Sequence, residues 1–170
     1  AGAIHSDQVD AAARWALEPF DRTGDEGPFK IQADLQDMMQ DLVGIVRKED
    51  EMQKALDGLE KLRSRAARAT VTGNREYNPG WHTAIDLHNL LTVSEAITRA
   101  AILRKESRGA QFRDDYPKKD NSRFGKVNSV VAKGPDGSMQ IRLEPIPPMP
   151  QELKDAIAAE GGGTLPDELE

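Results

Sequence analysis

From Asn78 to Leu103 the chain carries apolar residues on nearly every side of a would-be helix: Trp81, Ile85, Leu87, Leu90, Leu91, Val93, Ala96, Ile97, Ala100, Ala101 and Leu103. A helix apolar all round needs cover on several faces, so this stretch belongs at the centre of a helical bundle. Its start is written locally, with Asn78 as cap and Pro79 at the first helical position. Arg104 and Lys105 suit the negative end of the helix dipole, and Gly109 can supply a left-handed stop.

Two upstream segments repeat apolar residues at steps of three and four. Pro28 opens the first, with Ile31, Leu35, Met38, Leu42, Ile45 and Val46 on one stripe, which predicts a helix to about Arg47. Met52, Leu56, Leu59 and Leu62 mark the second, predicting a helix from about Glu49 to Ala69. The link at Lys48-Glu49-Asp50 is short enough for an antiparallel hairpin, and one bent helix is the alternative. An earlier helix, Asp7 to about Phe20, is expected behind a Ser6 cap, and the polar run Asp21–Gly27 ends it.

After Pro117 the pattern changes. Lys126–Ala132 and Met139–Leu143 alternate around Gly134-Pro135-Asp136-Gly137, which predicts a β-hairpin. Pro145, Pro147, Pro148 and Pro150 impose an extended exit. Gln151–Glu160 reads as a short helix, and Gly161-Gly162-Gly163 with the acidic end as a flexible tail. The expected class is therefore mainly α: a spectrin-repeat-like three-helix bundle over 28–117, a connector helix over 1–27, a hairpin with proline-rich extension over 118–150, and a short helix and tail over 151–170.

Composition narrows the function. A net charge of −6 argues against nucleic acid as a partner. With no cysteine there is no disulfide framework, thiolate zinc site or cysteine-bound iron–sulfur cluster. No apolar run approaches the ~20 residues that span a bilayer, so direct membrane insertion is not expected. The start at Ala1, without an initiator methionine or a signal-like stretch, reads as a piece of a longer protein. His82 and His88 lie six apart, about 600° of helical rotation at ~100° per residue, and face different ways. Neither GxGxxG, P-loop nor nucleophile elbow occurs.

The segment from Arg104 to Pro117 places three arginines, a lysine and three carboxylates around Gly109. Its plainer reading is a helix end followed by a loop held by its own Arg–Asp pairs. The sharper reading is a docking element, with Arg104, Glu106, Ser107, Arg108, Gly109, Arg113, Asp114, Asp115 and Tyr116 as its surface.

This segment resembles the RKESRGAH-type run of the succinate dehydrogenase and fumarate reductase flavoprotein subunits, with L-aspartate oxidase a close relative. Leu35–Arg47 is similar to the opening helix of their C-terminal domain. Asp86-Leu87-His88-Asn89-Leu90-Leu91 is similar to its "L-x-N-L/M" helix, and the hairpin with Glu144-Pro145-Ile146 to its closing β segment. The resemblance runs from about Leu35 to Pro148, and Ala1-Gly2-Ala3 is similar to where the flavin-binding domain ends. Two departures stand out: Gln111 where the family commonly has histidine, and Arg123-Phe124-Gly125 in place of a Trp-His pair.

The resemblance implies a parent that interconverts succinate and fumarate by hydride transfer with FAD, whose catalytic and FAD-binding motifs lie upstream of this region. It therefore implies no catalytic, cofactor-binding or metal residue here. The implied role is packing against the flavin-binding domain, with an iron–sulfur subunit as a further contact. The implied place is cytoplasmic, peripheral at the inner face of the membrane through partner subunits. The C-terminal domain of L-aspartate oxidase and a free-standing helical adaptor remain the alternatives.

Overall fold

The computed structural model of the chain describes residues 5–159. The expectations for Ala1–Ala3 and for the glycine-rich acidic end lie outside the described residues. The protein is mainly α, with a small antiparallel hairpin. Helices α1 (Ser6–Asp21) and α2 (Pro28–Val43) precede a two-residue strand β1 (Val46–Arg47). Then follow α3 (Glu49–Ala66), α4 (Pro79–Leu103), strand β2 (Phe112–Arg113), strands β3 (Val127–Lys133) and β4 (Met139–Pro145), and α5 (Gln151–Ala159).

Helix α4 begins as its sequence dictates. Asn78 Oδ1 accepts from the Trp81 N–H at 3.1 Å, and Pro79 fills the first position, where an N–H would lack a partner anyway. Helices α2, α3 and α4 close a common core. Ile31, Leu35, Leu59, Leu62, Ala69, Leu87 and Leu91 form its larger cluster, and Val43, Met52, Ala55 and Ala101 a second one, with Met39 packed against both. Fully burying each large aliphatic side chain contributes about 1.5–3 kcal/mol. Thr98 is buried without a penalty because its hydroxyl donates to Ser94 O at 2.8 Å.

Helix α1 leans on the N-terminal half of α4. The Trp81 indole N–H donates to Ala16 O at 2.6 Å, and the Phe20 and Trp81 rings sit 5.7 Å apart. Ser6 is the first helical residue; the capping position is His5, and no side chain bonds there. The cap therefore falls one residue before Ser6, the expected position.

The α2–α3 connection corrects two expectations. Helix α2 stops at Val43, and Ile45 and Val46 leave the stripe to become exposed. The break is Gly44, where an added Cβ would stand 2.6 Å from the Gln40 carbonyl oxygen, so the chain exits the helix along a path open to glycine. The two helices form a hairpin, and Val46–Arg47 instead pairs in parallel with Phe112–Arg113.

The β3–β4 hairpin pairs Val127 with Pro145 through Lys133 with Met139. Its turn closes with Gly134 N–H to Ser138 O at 2.8 Å, and Gly137 takes the positive φ of 84° that the loop requires.

Candidate functional site

The Arg104–Tyr116 segment folds as a clasp over one end of the bundle. Helix α4 ends at Leu103, before Lys105 and well before Gly109, so neither serves the helix end as expected. Lys105 instead reaches Glu49 at 3.2 Å. Gly109 is the first central residue of the Arg108–Gln111 turn, with φ of 59°, closed by reciprocal bonds of 2.9 and 3.1 Å between Arg108 and Gln111.

The helix end is completed by Arg113, which is fully buried. Its Nη1 donates to Ala101 O at 2.7 Å, with longer contacts to Ile102 O at 3.3 Å and Arg104 O at 3.4 Å. Its Nε and Nη2 grip both oxygens of Asp115 at 2.7 Å each. Asp115 in turn accepts the Glu49 N–H at 3.1 Å, the first amide of α3. A cation thus faces the negative end of one helix and a carboxylate the positive end of another. The Arg113 bonds hold the Asp115 carboxyl below the usual carboxylate range.

Arginine capping recurs at the other two bundle helices. Arg47 Nε donates to Gly44 O at 2.6 Å and Val43 O at 3.2 Å, closing α2. Arg22 Nη1 donates to Ala66 O at 3.2 Å and Ala69 O at 3.3 Å, closing α3. Orphan carbonyls at helix ends need partners, and here each set receives a guanidinium, from just beyond the helix for Arg47 and from farther away in the chain for Arg113 and Arg22.

Glu106 is the second centre of the clasp. Its carboxylate, fully buried, accepts from Arg104 Nε at 2.8 Å, Arg108 Nε at 2.8 Å and the Asp120 N–H at 2.8 Å. Burial alone would raise its pKa, but the Arg108, Asp120 and Arg104 contacts outweigh that and leave it lowered. Arg104 also reaches Phe124 O at 2.5 Å, and Arg108 reaches Asn121 Oδ1 at 2.6 Å, so the same cluster anchors the lead-in to the hairpin.

The remaining members bind the clasp to itself. Ser107 Oγ accepts from Arg113 N at 2.9 Å and contacts Tyr116 O at 2.9 Å. Tyr116 lies under Arg113 at 5.0 Å and Lys105 at 5.6 Å. Asp114 pairs with Lys48 at 3.2 Å, half in solvent. Gln111, at the position where the resemblance has histidine, accepts from Arg47 Nη1 at 3.0 Å and donates to Arg104 O at 3.0 Å. An amide can do both at once.

Sequence reasoning missed Arg47, Glu49, Gln111, Asp120 and Asn121 as members. A cation directly behind Gly44-Ile45-Val46 is the one local signal that pointed to Arg47. His82 stacks beside Trp81 at 5.6 Å, and His88 meets the Trp15 edge at 6.3 Å. Among the described residues no three His, Asp or Glu side chains gather as a metal site. The one parallel pairing among the described residues is the two-residue β1–β2, and no glycine-rich turn leads from it into a helix.

The geometry defines a helical bundle with a hairpin appendage, whose strongest charges are directed inward to hold helix ends. The family described as fumarate reductase flavoprotein C-term matches residues 32–156. The chain belongs to that family and aligns with the C-terminal domain of succinate dehydrogenase and fumarate reductase flavoprotein subunits. It is 30% identical over 153 residues to the succinate dehydrogenase flavoprotein subunit of Coxiella burnetii, covering 88% of this chain and 26% of that protein. It is 29% identical to the fumarate reductase flavoprotein subunit of Haemophilus influenzae, covering 86% of this chain and 25% of that protein. Among solved structures it resembles Mycobacterium smegmatis Sdh1 in complex with UQ1, at 40% identity and a TM-score of 0.78, over 98% of this chain and 29% of that one. The chain thus spans about a quarter of the length of the curated relatives it matches.

Proposed function

We propose that this chain is the non-catalytic helical C-terminal part of an FAD-dependent succinate dehydrogenase or fumarate reductase flavoprotein subunit. In that reading it braces a flavin-binding domain of the same polypeptide, and the parent interconverts succinate and fumarate by hydride transfer with FAD. The observation that carries it is the pairing of the family match over 32–156 with a site whose charges are engaged in capping helices. Arginine contacts hold the Glu106, Asp115 and Glu95 carboxyls below the usual carboxylate range, which suits standing charges rather than a neutral-pH acid or base.

One solved relative is named as a Mycobacterium smegmatis Sdh1 complex. A partner subunit, with an iron–sulfur protein as the candidate, is the reading for this family member too. No helix among the described residues is long and apolar enough to cross a membrane. A peripheral position at the inner face, held by partner subunits, agrees with that.

The test is expression of the full-length polypeptide beside residues 1–170. The longer protein is expected to purify yellow and to oxidise succinate or reduce fumarate with an artificial electron carrier. The shorter is expected to be colourless and inert. Turnover of a dicarboxylate by residues 1–170 alone would overturn the reading, and turnover of L-aspartate by the full-length protein would move it to the other branch.

A further inference from the structure

The β1–β2 pair is built inside out. Partnered residues of a parallel pair share a face, and successive residues alternate. Arg47 and Arg113 are partners, and both are engaged with helix-end carbonyls. Val46 and Phe112 are also partners, yet they are 57% and 41% exposed. Ile45, whose carbonyl accepts the Phe112 N–H at 3.1 Å, is 70% exposed. Cations therefore point into the protein while Val46 and Phe112 point out, and Ile45, in the bend just before β1, is exposed beside them.

We propose that Ile45, Val46 and Phe112 form the seat for the flavin-bearing remainder of the same polypeptide, an inference that rests on the functional reading above. The inverted pattern is stable in a finished protein when the outward face is covered as well. The backing is stiff, because Arg113 and Gln111 tie both strands to helix ends, so the knob presents fixed apolar side chains. Its charged neighbours neutralise each other, Lys48 pairing with Asp114 at 3.2 Å. An apolar centre beside a self-paired charge matches a protein surface, whereas a nucleic acid or an anionic lipid headgroup needs unpaired cations.

The choice of occupant follows from length. This chain covers 29% of the Sdh1 chain it resembles, so most of such a polypeptide lies outside these residues. A covalently attached neighbour binds at an effective concentration on the order of millimolar, ahead of any free partner.

The experiment uses the full-length polypeptide carrying a photo-crosslinking phenylalanine analogue at Phe112, with Val46→Asp and Val46→Ile made separately. Illumination is expected to join Phe112 to a peptide upstream of Ala1 in the same polypeptide. Val46→Asp is expected to lower the melting temperature of the full-length protein by several degrees, while Val46→Ile leaves it unchanged. A crosslink to a separate subunit, to a second copy or to no peptide at all overturns the proposal, as does a Val46→Asp protein that behaves as wild type. If the full-length protein holds no flavin, the functional reading fails while the crosslink still reports where the knob sits.

Discussion

Arg113 and Asp115 form a two-toothed ion pair, 2.7 Å on each side, that joins the last turn of α4 to the first amide of α3. Each partner does double duty. The guanidinium caps carbonyls at one helix end, and the carboxylate caps an N–H at the start of another. Arg113 is fully buried while the Asp115 side chain keeps 29% exposure, so the pair is only partly shielded from salt and water.

Arg113→Ala removes the cap on α4 and strands a carboxylate at the start of α3. Breaking a fully buried pair from one side costs about 3–5 kcal/mol, and the partial exposure of Asp115 places this loss at or below the lower end. Arg113→Lys is expected to recover only part of this, since an ammonium cannot grip both Asp115 oxygens and three carbonyls together. Urea denaturation of the two variants beside wild type measures it.

Glu106 predicts the acid limb of stability. Its pKa is lowered in the folded chain, so its contribution is present above the unfolded carboxylate range and is lost as pH falls through the folded value. Glu106→Gln leaves Arg104 and Arg108 facing a neutral acceptor, a loss of about 1.5–3 kcal/mol near neutral pH. The difference between Glu106→Gln and wild type is expected to shrink as pH drops below about 4. Thermal melts from neutral pH down to acid check both size and direction.

Gly44→Ala is expected to destabilise by about 1–3 kcal/mol, because the new Cβ meets the Gln40 carbonyl oxygen at 2.6 Å and backbone must shift. Gly109→Ala meets no neighbour within 4 Å but forces a positive φ of 59°, at a cost of about 1–2 kcal/mol. Denaturation midpoints of the two variants separate crowding from backbone conformation.

Asn78→Ala removes the cap of α4 together with two bonds from Asn78 Nδ2, to Thr72 O at 2.9 Å and Asn74 O at 2.8 Å. The expected loss is toward the upper end of about 0.5–2 kcal/mol. Hydrogen exchange of the first α4 amides is expected to quicken with it.

What the sequence made legible was local. Pro28, Asn78 and Pro79 announce helix starts through their own backbone chemistry, and Gly134-Pro135-Asp136-Gly137 announces its turn. What stayed hidden was long range. The stripe through Ile45 and Val46 continues the α2 periodicity, so only the packing of Gly44 against Gln40 reveals the break. The caps from Arg22 to Ala66, and from Asp115 to Glu49, join residues 44 and 66 positions apart. No local pattern encodes those partners. For the clasp, residue types signalled a cluster, but not that Glu106 and Arg113 would be buried inside it.

The central claim is that the clasp holds structure and takes no part in chemistry. Steady-state succinate oxidation per bound flavin, measured in the full-length polypeptide with Arg108→Ala, tests it most directly. The predicted result is an unchanged kcat and KM with a lower melting temperature or weaker domain association. A large rise in KM at unchanged stability and assembly would contradict it.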